Sequence, residues 1–561
     1  MDLLIKDGFV YDPLNKINGE KMDICISNGK IVEQCAQDAK TINAANKIVM
    51  PGGIDIHTHV AGSNLTSGRG LRPEDMRIGT KPATGFLRAE SGNTMPNTFA
   101  TGHRYIEMGY TMICQPGMPP IKGRETHEEL TDIPFVDKTA MTLCEKNWFI
   151  LRYFRERQFE EAKNFLAWLL WATKGSATKL VNPGGTEAWG FGKNVKSIND
   201  VVPHFDITPR EIITGFQKIN EELGLHHSIH LHLNQLGKPG NYQIALDTFR
   251  ALEDISAPSH LSRTQSAHIT HVQFSAFGGT SWRDFCSGTE PIADYINDHD
   301  HLTVDSGAIV FGPATTLTAD GPIQYDIGNL TRLKWANSDV ELETGAGIVP
   351  FVYNPKSLTT SIQWAIGLEL YLLIKDPWKI MMSTDHPNGG MFTDYPKIQA
   401  WLMSKKFRDV AIDKCHKRLP DRSVIQDLDR EYTFEEIAII SRALCAKCYS
   451  FDQKGHLGVG ADADVVVYDF NPKKQDPSQD YVALISAFRY ADTTIKSGKV
   501  VVRNGIITKP FQGQTYWFNS PHEQPDIDEF FNSYYTISMN NYAIDPRYIS
   551  NPVEVPIKGA T

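Results

Sequence analysis

The feature that most constrains this chain is an alternation in its middle. Eight short apolar runs, "GIDIHTH", "YTMICQPG", "KTAMTLC", "ATKLVNPGG", "SIHLHLN", "AHITHVQF", "HLTVDSGAIVFG" and "KIMMSTDH", are separated by helix-like stretches. Apolar strands alternating with helical segments belong to a parallel sheet covered by helices. Eight such units close naturally into a (β/α)8 TIM-like barrel, with the chemistry at the C-terminal strand ends. The fold class is therefore α/β. At 561 residues the chain has room for a barrel, its insertions and an appended unit.

The flanks differ in character. "LLIKDGFVYDP", "MDICISNGKIVEQC" and "KIVMPG" near the start, and "ADADVVVYDF" and "TTIKSGKVVVRNGIIT" near the end, read as short strands joined by tight turns. Two β segments of similar style suggest one small β-sandwich domain composed of both terminal segments. The expected divisions are 1–50 and 451–508 for that domain, 51–450 for the barrel, and 509–561 for an aromatic tail packing on the barrel or a partner.

The chain is 41% hydrophobic and 22% charged, the balance of a globular protein, and its net charge of −10 excludes the basic footprint of a nucleic-acid binder. The start, "MDLLIKDGFVYDP", carries an acid at position 2 and does not read as a signal peptide. The runs "FLAWLLWAT" and "IQWAIGLELYLLI" are too short, or interrupted by Glu369, to span a membrane. A cytoplasmic location is expected. The eight cysteines make neither a disulfide framework nor an iron–sulfur run, and Cys445 and Cys448 read as core-facing residues of a helix.

Polar residues collect where the strands should end. The first run ends in His57 and His59, which at i and i+2 on a strand share a face and suit one ion. The fourth carries Lys179, whereas Lys174, before Gly175, reads as loop. The fifth offers His230, His232 and Asn234 on one face. The sixth offers His268 and His271, whose odd offset places His268 on the opposite face, and the eighth ends at Asp385. A lone strand histidine is usually a hydrogen-bonded structural residue. Histidines, a lysine and an aspartate gathered at one end of a barrel read as a metal site. On strand five, the position nearer the C-terminal end slightly favours His232.

This ordered set resembles the amidohydrolase superfamily over roughly residues 1–510, including "GHLGVGADADVVVYD". The resemblance implies two Zn2+ bridged by N6-carboxylysine at Lys179, with His57, His59, His271 and Asp385 as further ligands. It leaves His230 and His232 both open on strand five. An ammonium cannot ligate a cation, but the carbamate it forms with CO2 offers two oxygens and keeps the dizinc site net positive.

Longer stretches are similar to the family of metal-amidohydrolase subunits of formylmethanofuran dehydrogenases, and to the corresponding subunit of a bacterial formyltransferase/hydrolase complex. They are "HVAGSNLTSGRGLRPED" (59–75), "KLVNPGGTEAWGFG" (179–192), "HLHLNQLGKPGN" (230–241) and "STDHPNGGMFTDYP" (383–396). This implies reversible condensation of formate with the primary amine of methanofuran, a step of one-carbon and methane metabolism, with Asp385 as proton carrier. Tungsten- or molybdenum-containing and iron–sulfur subunits are then the implied partners. Arg69, Arg72 and Arg77 would meet the acidic cofactor tail, and Asn64, Asn182 and Asn234 either the formamide or groups that support the ligands. The alternatives are a stand-alone cyclic amidohydrolase of the dihydropyrimidinase or dihydroorotase type, and a barrel kept as a scaffold. The long matching stretches, the aromatic tail and the extended region 313–378 argue against the first. The complete ligand set argues against the second.

Overall fold

The computed structural model describes residues 2–338, 346–525 and 542–557. Its central sheet contains eight parallel strands, β1 (Gly53–Asp55), β2 (Tyr110–Met118), β3 (Asp137–Leu143), β4 (Thr178–Val181), β5 (Ile229–His232), β6 (Ala267–Ile269), β7 (Leu302–Asp305) and β8 (Ile380–Met381). They pair in sequence order from β1 to β8. The seam between last and first closes just beyond the strands, where Thr58 bridges His386 and the His59 N–H donates to the His386 carbonyl at 2.8 Å. The sequence thus folds into the barrel its apolar runs imply.

The strands are shorter than those runs. β1 stops at Asp55 and β8 at Met381, so His57, His59 and Asp385 lie on the turns that follow. Non-glycine residues in the left-handed region mark these turns, including Asn182 (φ 45°), His271 (φ 38°) and Asp385 (φ 49°).

Strands from both flanks form one nine-stranded sheet, joined where Ile48–Pro51 runs antiparallel to Val465–Tyr468. Ile5, Ile26 and Val49 from one flank pack with Val465 and Ile495 from the other in a single apolar core, so the sheet folds around its own interior. Two of its hairpins turn on Asn28-Gly29 and Ser497-Gly498, all four residues at positive φ, the geometry of type I′ turns. Cys25 and Cys35 form a disulfide in this sheet, a pairing not anticipated from the sequence. A buried ion cluster ties the sheet to the barrel: Asp137 at the start of β3 meets Lys454 Nζ at 2.6 Å and Lys496 Nζ at 2.8 Å. Burial raises the Asp137 carboxyl, but the two lysines outweigh it and hold it below the usual carboxylate range.

From the C-terminal tail, Thr515–Asn519 pairs in parallel with the first half of β3, whose second half pairs with β4. The tail strand therefore wedges into the closed end of the barrel, and Pro552–Pro556 extends it. Of the expected tail, residues 526–541 and 558–561 lie outside the described residues. Between β7 and β8, Gly312–Thr318, Ala346–Tyr353 and Ala336–Ser338 form an antiparallel flap with helix Gly321–Thr331, over the open end. Among the described residues, no helix is long and apolar enough to cross a membrane.

Candidate metal centre

The site is built on pinned turns. Asp55, buried at the end of β1, accepts from the Tyr105 hydroxyl at 2.7 Å, from the Tyr395 hydroxyl, and from the His57 N–H at 3.1 Å. Burial raises its carboxyl to about 6. The turn then presents His57 and His59 to the turn after β8, with each Nε2 at 3.0 and 3.2 Å from Asp385 Oδ1. Asn388 Nδ2 donates to the same oxygen at 3.0 Å. Across the barrel, the His271 N–H donates to Asp305 Oδ1 at 2.9 Å. A side chain at Gly307 would put its Cβ 2.4 Å from that of His271, so this close approach requires glycine.

Donor atoms of His57, His271 and Asp385 fall within 4.8 Å of one another. Lys179 Nζ, His57 Nε2 and His271 Nδ1 are buried without hydrogen-bond partners. Polar atoms left so are costly unless something binds them. Burial lowers the Lys179 amine to about 8 despite Asp385 and Asp305 nearby, and burial drives the His57 and His271 imidazoles well below their usual range. Neutral imidazoles, a carboxylate and a lysine able to react as the free amine fit a metal ion held with a carbamate.

On β5, the structure separates the two histidines. His232 lines the cavity with its ring 4.7 Å from that of His271, and its Nε2 lies 3.1 Å from Asp320 Oδ2. Donation from Nε2 leaves Nδ1 as the lone-pair nitrogen. Asp320 Oδ1 accepts from Asn182 Nδ2 at 3.1 Å, and Asn182 Oδ1 from Asn234 Nδ2 at 2.8 Å. Asn182 and Asn234 thus support Asp320 and do not line the cavity. Asp320 carried no motif signal, since it lies in the flap, 88 residues from His232. Asp320→Asn keeps an oxygen to cap the Gly321–Thr331 helix but removes the charge. It is expected to weaken binding of a divalent metal about tenfold, read by chelator competition, and unchanged affinity would remove Asp320 from the site.

His230 turns away from the cavity, its ring nitrogens 2.8 Å from His57 Nδ1 and 3.0 Å from His227 Nε2. His268 also faces the barrel interior, 4.6 Å from the His230 ring, with Nε2 3.0 Å from Asp305 Oδ2. The opposite-face expectation for His268 fails because β6 ends at Ile269 and the left-handed turn at His271 breaks the alternation. A second trio, His57, His230 and Asp305, lies within 4.8 Å, but both Asp305 oxygens already accept from His268 and His271.

A model of the amidohydrolase family matches residues 40–502. The chain belongs to the amidohydrolase family. Protein FwdA of Methanocaldococcus jannaschii is 47% identical over 561 residues, covering 98% of each chain. One subunit of the formyltransferase/hydrolase complex Fhc of Methylorubrum extorquens is 33% identical over 502 residues, 88% of this chain and 87% of its own. A chain of the crystal structure of that complex, FhcABCD with methylofuran, superposes with a TM-score of 0.90 at 29% identity over the whole of both chains. A dihydroorotase of Elusimicrobium minutum, 52% identical, matches only 64 residues, 11% of this chain and 15% of its own.

In this amidohydrolase His57, His59, Lys179, His232, His271 and Asp385 line a cavity of about 800 Å³, together with Asn64, Trp282, Gln324, Phe351 and Tyr353 among others. Arg69 and Arg72 are not part of the wall: Arg69 binds Glu129 at 3.2 Å and Arg72 the Ala314 carbonyl at 2.6 Å. Arg77 is exposed outside it. Among the described wall residues the lysines are Lys179 and Lys238, the latter paired with Asp326 at 3.0 Å.

Proposed function

We propose that this chain is the metal-dependent amidohydrolase subunit that condenses formate with the primary amine of methanofuran, or hydrolyses the resulting formamide. The observation that carries this reading is the end-to-end likeness to FwdA and to the Fhc protein, joined to a cavity of about 800 Å³, far larger than a formyl group alone requires. Two Zn2+ would be held here by His57, His59, His232, His271 and Asp385, with Lys179 contributing as N6-carboxylysine. Bound there, such ions polarise a carbonyl and lower the pKa of water.

The chain's own residues supply the rest. Asp385, raised above the usual carboxylate range by burial, accepts the proton of attacking water and returns it to the departing amine nitrogen. In the condensing direction the same carboxylate takes the proton from the attacking amine nitrogen and passes it to the departing hydroxyl, which leaves as water. Thr316, Leu317 and Ala319 of the flap roof the reacting centre and exclude bulk water. Asn64, on the cavity wall, would bond the formamide, and Lys238 would meet carboxylates of the carrier's tail in exchange for Asp326. The work is shared with partners: tungsten- or molybdenum-containing and iron–sulfur subunits, in the cytoplasm, make or consume the formate.

The test is a substrate comparison on the purified complex. Formylmethanofuran should turn over, while dihydroorotate, dihydrouracil and hydantoin should not. Robust turnover of any cyclic amide without formamide hydrolysis would overturn the proposal.

A further inference from the structure

His57 is held from behind by a chain of imidazoles that ends at Cys448, whose carbonyl is the nearer partner of His227 Nδ1 at 3.0 Å and whose Sγ lies at 3.5 Å. Cys448 is the last residue of helix Leu444–Cys448, so its carbonyl has no intrahelical donor. His227 Nδ1 lies 3.0 Å from that oxygen, His227 Nε2 3.0 Å from His230 Nδ1, and His230 Nε2 2.8 Å from His57 Nδ1. The His227 ring stacks on Tyr449, centroids 4.3 Å apart and planes within 3°, which fixes its orientation.

A neutral imidazole carries one N–H and one lone pair. A carbonyl oxygen only accepts, so His227 must donate from Nδ1 and present a lone pair at Nε2. His230 then donates from Nδ1 and accepts at Nε2, and His57 donates from Nδ1. The His57 Nε2 lone pair is left facing Asp385 Oδ1 at 3.0 Å. Two lone pairs that close repel unless a cation lies between them. The Thr270 hydroxyl, 2.6 Å from His57 Nδ1, can accept a share of the same hydrogen.

We infer that His230, backed by His227 and the Cys448 carbonyl, is a positioning residue that fixes the His57 tautomer for metal binding. The inference rests on the metal reading of the site. It also gives the CxxC segment a role unrelated to thiol chemistry, since its helix end supplies the anchoring oxygen.

The test measures zinc stoichiometry and affinity, the latter by chelator competition, on the purified complex. His230→Phe removes both links at similar volume, whereas His230→Gln restores an acceptor near Nε2. The phenylalanine variant should still bind two zinc ions at saturation but about 10- to 100-fold more weakly, and the glutamine variant should recover most of that loss. His227→Phe, one link away, should show a smaller loss in the same direction and carries the test if His230→Phe does not fold. Thr270→Val should leave affinity nearly unchanged. Wild-type affinity in both phenylalanine variants would overturn the inference, as would loss of one zinc at saturation in both His230 variants, which would make His230 a ligand. A loss in Thr270→Val equal to that in His230→Phe would transfer the role to the hydroxyl. Wild-type protein that binds no zinc would instead refute the metal reading.

Discussion

Lys179→Ala is expected to leave the barrel folded, strip most of the bound metal and lower amide turnover by about 10³-fold or more, the scale set by several kcal/mol of lost charge stabilisation. The reasoning starts from an anomaly. Lys179 lies in β4, its Nζ buried without a hydrogen-bond partner, and burial already lowers its amine to about 8. A cation kept there for stability would have an acceptor. An amine poised to become an anion would not, because its partners arrive with the metal. Removing it should therefore cost little thermal stability while abolishing metal retention, so the two readouts separate. Acetate, which can enter the vacated space as a free carboxylate, should restore part of the metal binding and activity. Two tightly bound metals in Lys179→Ala would end the bridging role.

The barrel was legible because parallel strands buried on both faces leave apolar runs that interrupt helical periodicity, and the polar residues ending those runs stand out. Alternation could not say how deep along the barrel axis a side chain sits. It therefore left His230 and His232 unresolved, although one lines the cavity and the other lies behind His57. It also misplaced His268, because a period-two rule holds only while the strand continues, and β6 ends at Ile269. Supporting residues were least visible. Asp320 and His227 act through contacts with residues that pairwise spacing in the sequence does not single out, and each has an ordinary local context. The arginines failed for the converse reason. Charge near a predicted mouth says nothing of a distant acid such as Glu129, which holds Arg69 off the cavity wall.

The proposed function gives Asp385 two duties, metal ligand and proton carrier, that substitution can separate. Its Oδ1 is crowded, with His57 and His59 Nε2 at 3.0 and 3.2 Å and Asn388 Nδ2 at 3.0 Å. None of these contacts engages Oδ2, the oxygen to which the proposed mechanism assigns the proton. Asp385→Asn keeps an oxygen that can ligate but has no basic site at neutral pH. It should retain most of the metal and lose about 10²- to 10⁴-fold in kcat, with KM little changed. Asp385→Ala removes both oxygens and should lose metal as well. The left-handed backbone at Asp385 (φ 49°) gives asparagine a further advantage, since it tolerates that conformation better than alanine. If Asp385→Asn kept kcat within about tenfold of wild type with full metal occupancy, the proton would have to travel through another group, and Asp385 would be a ligand alone.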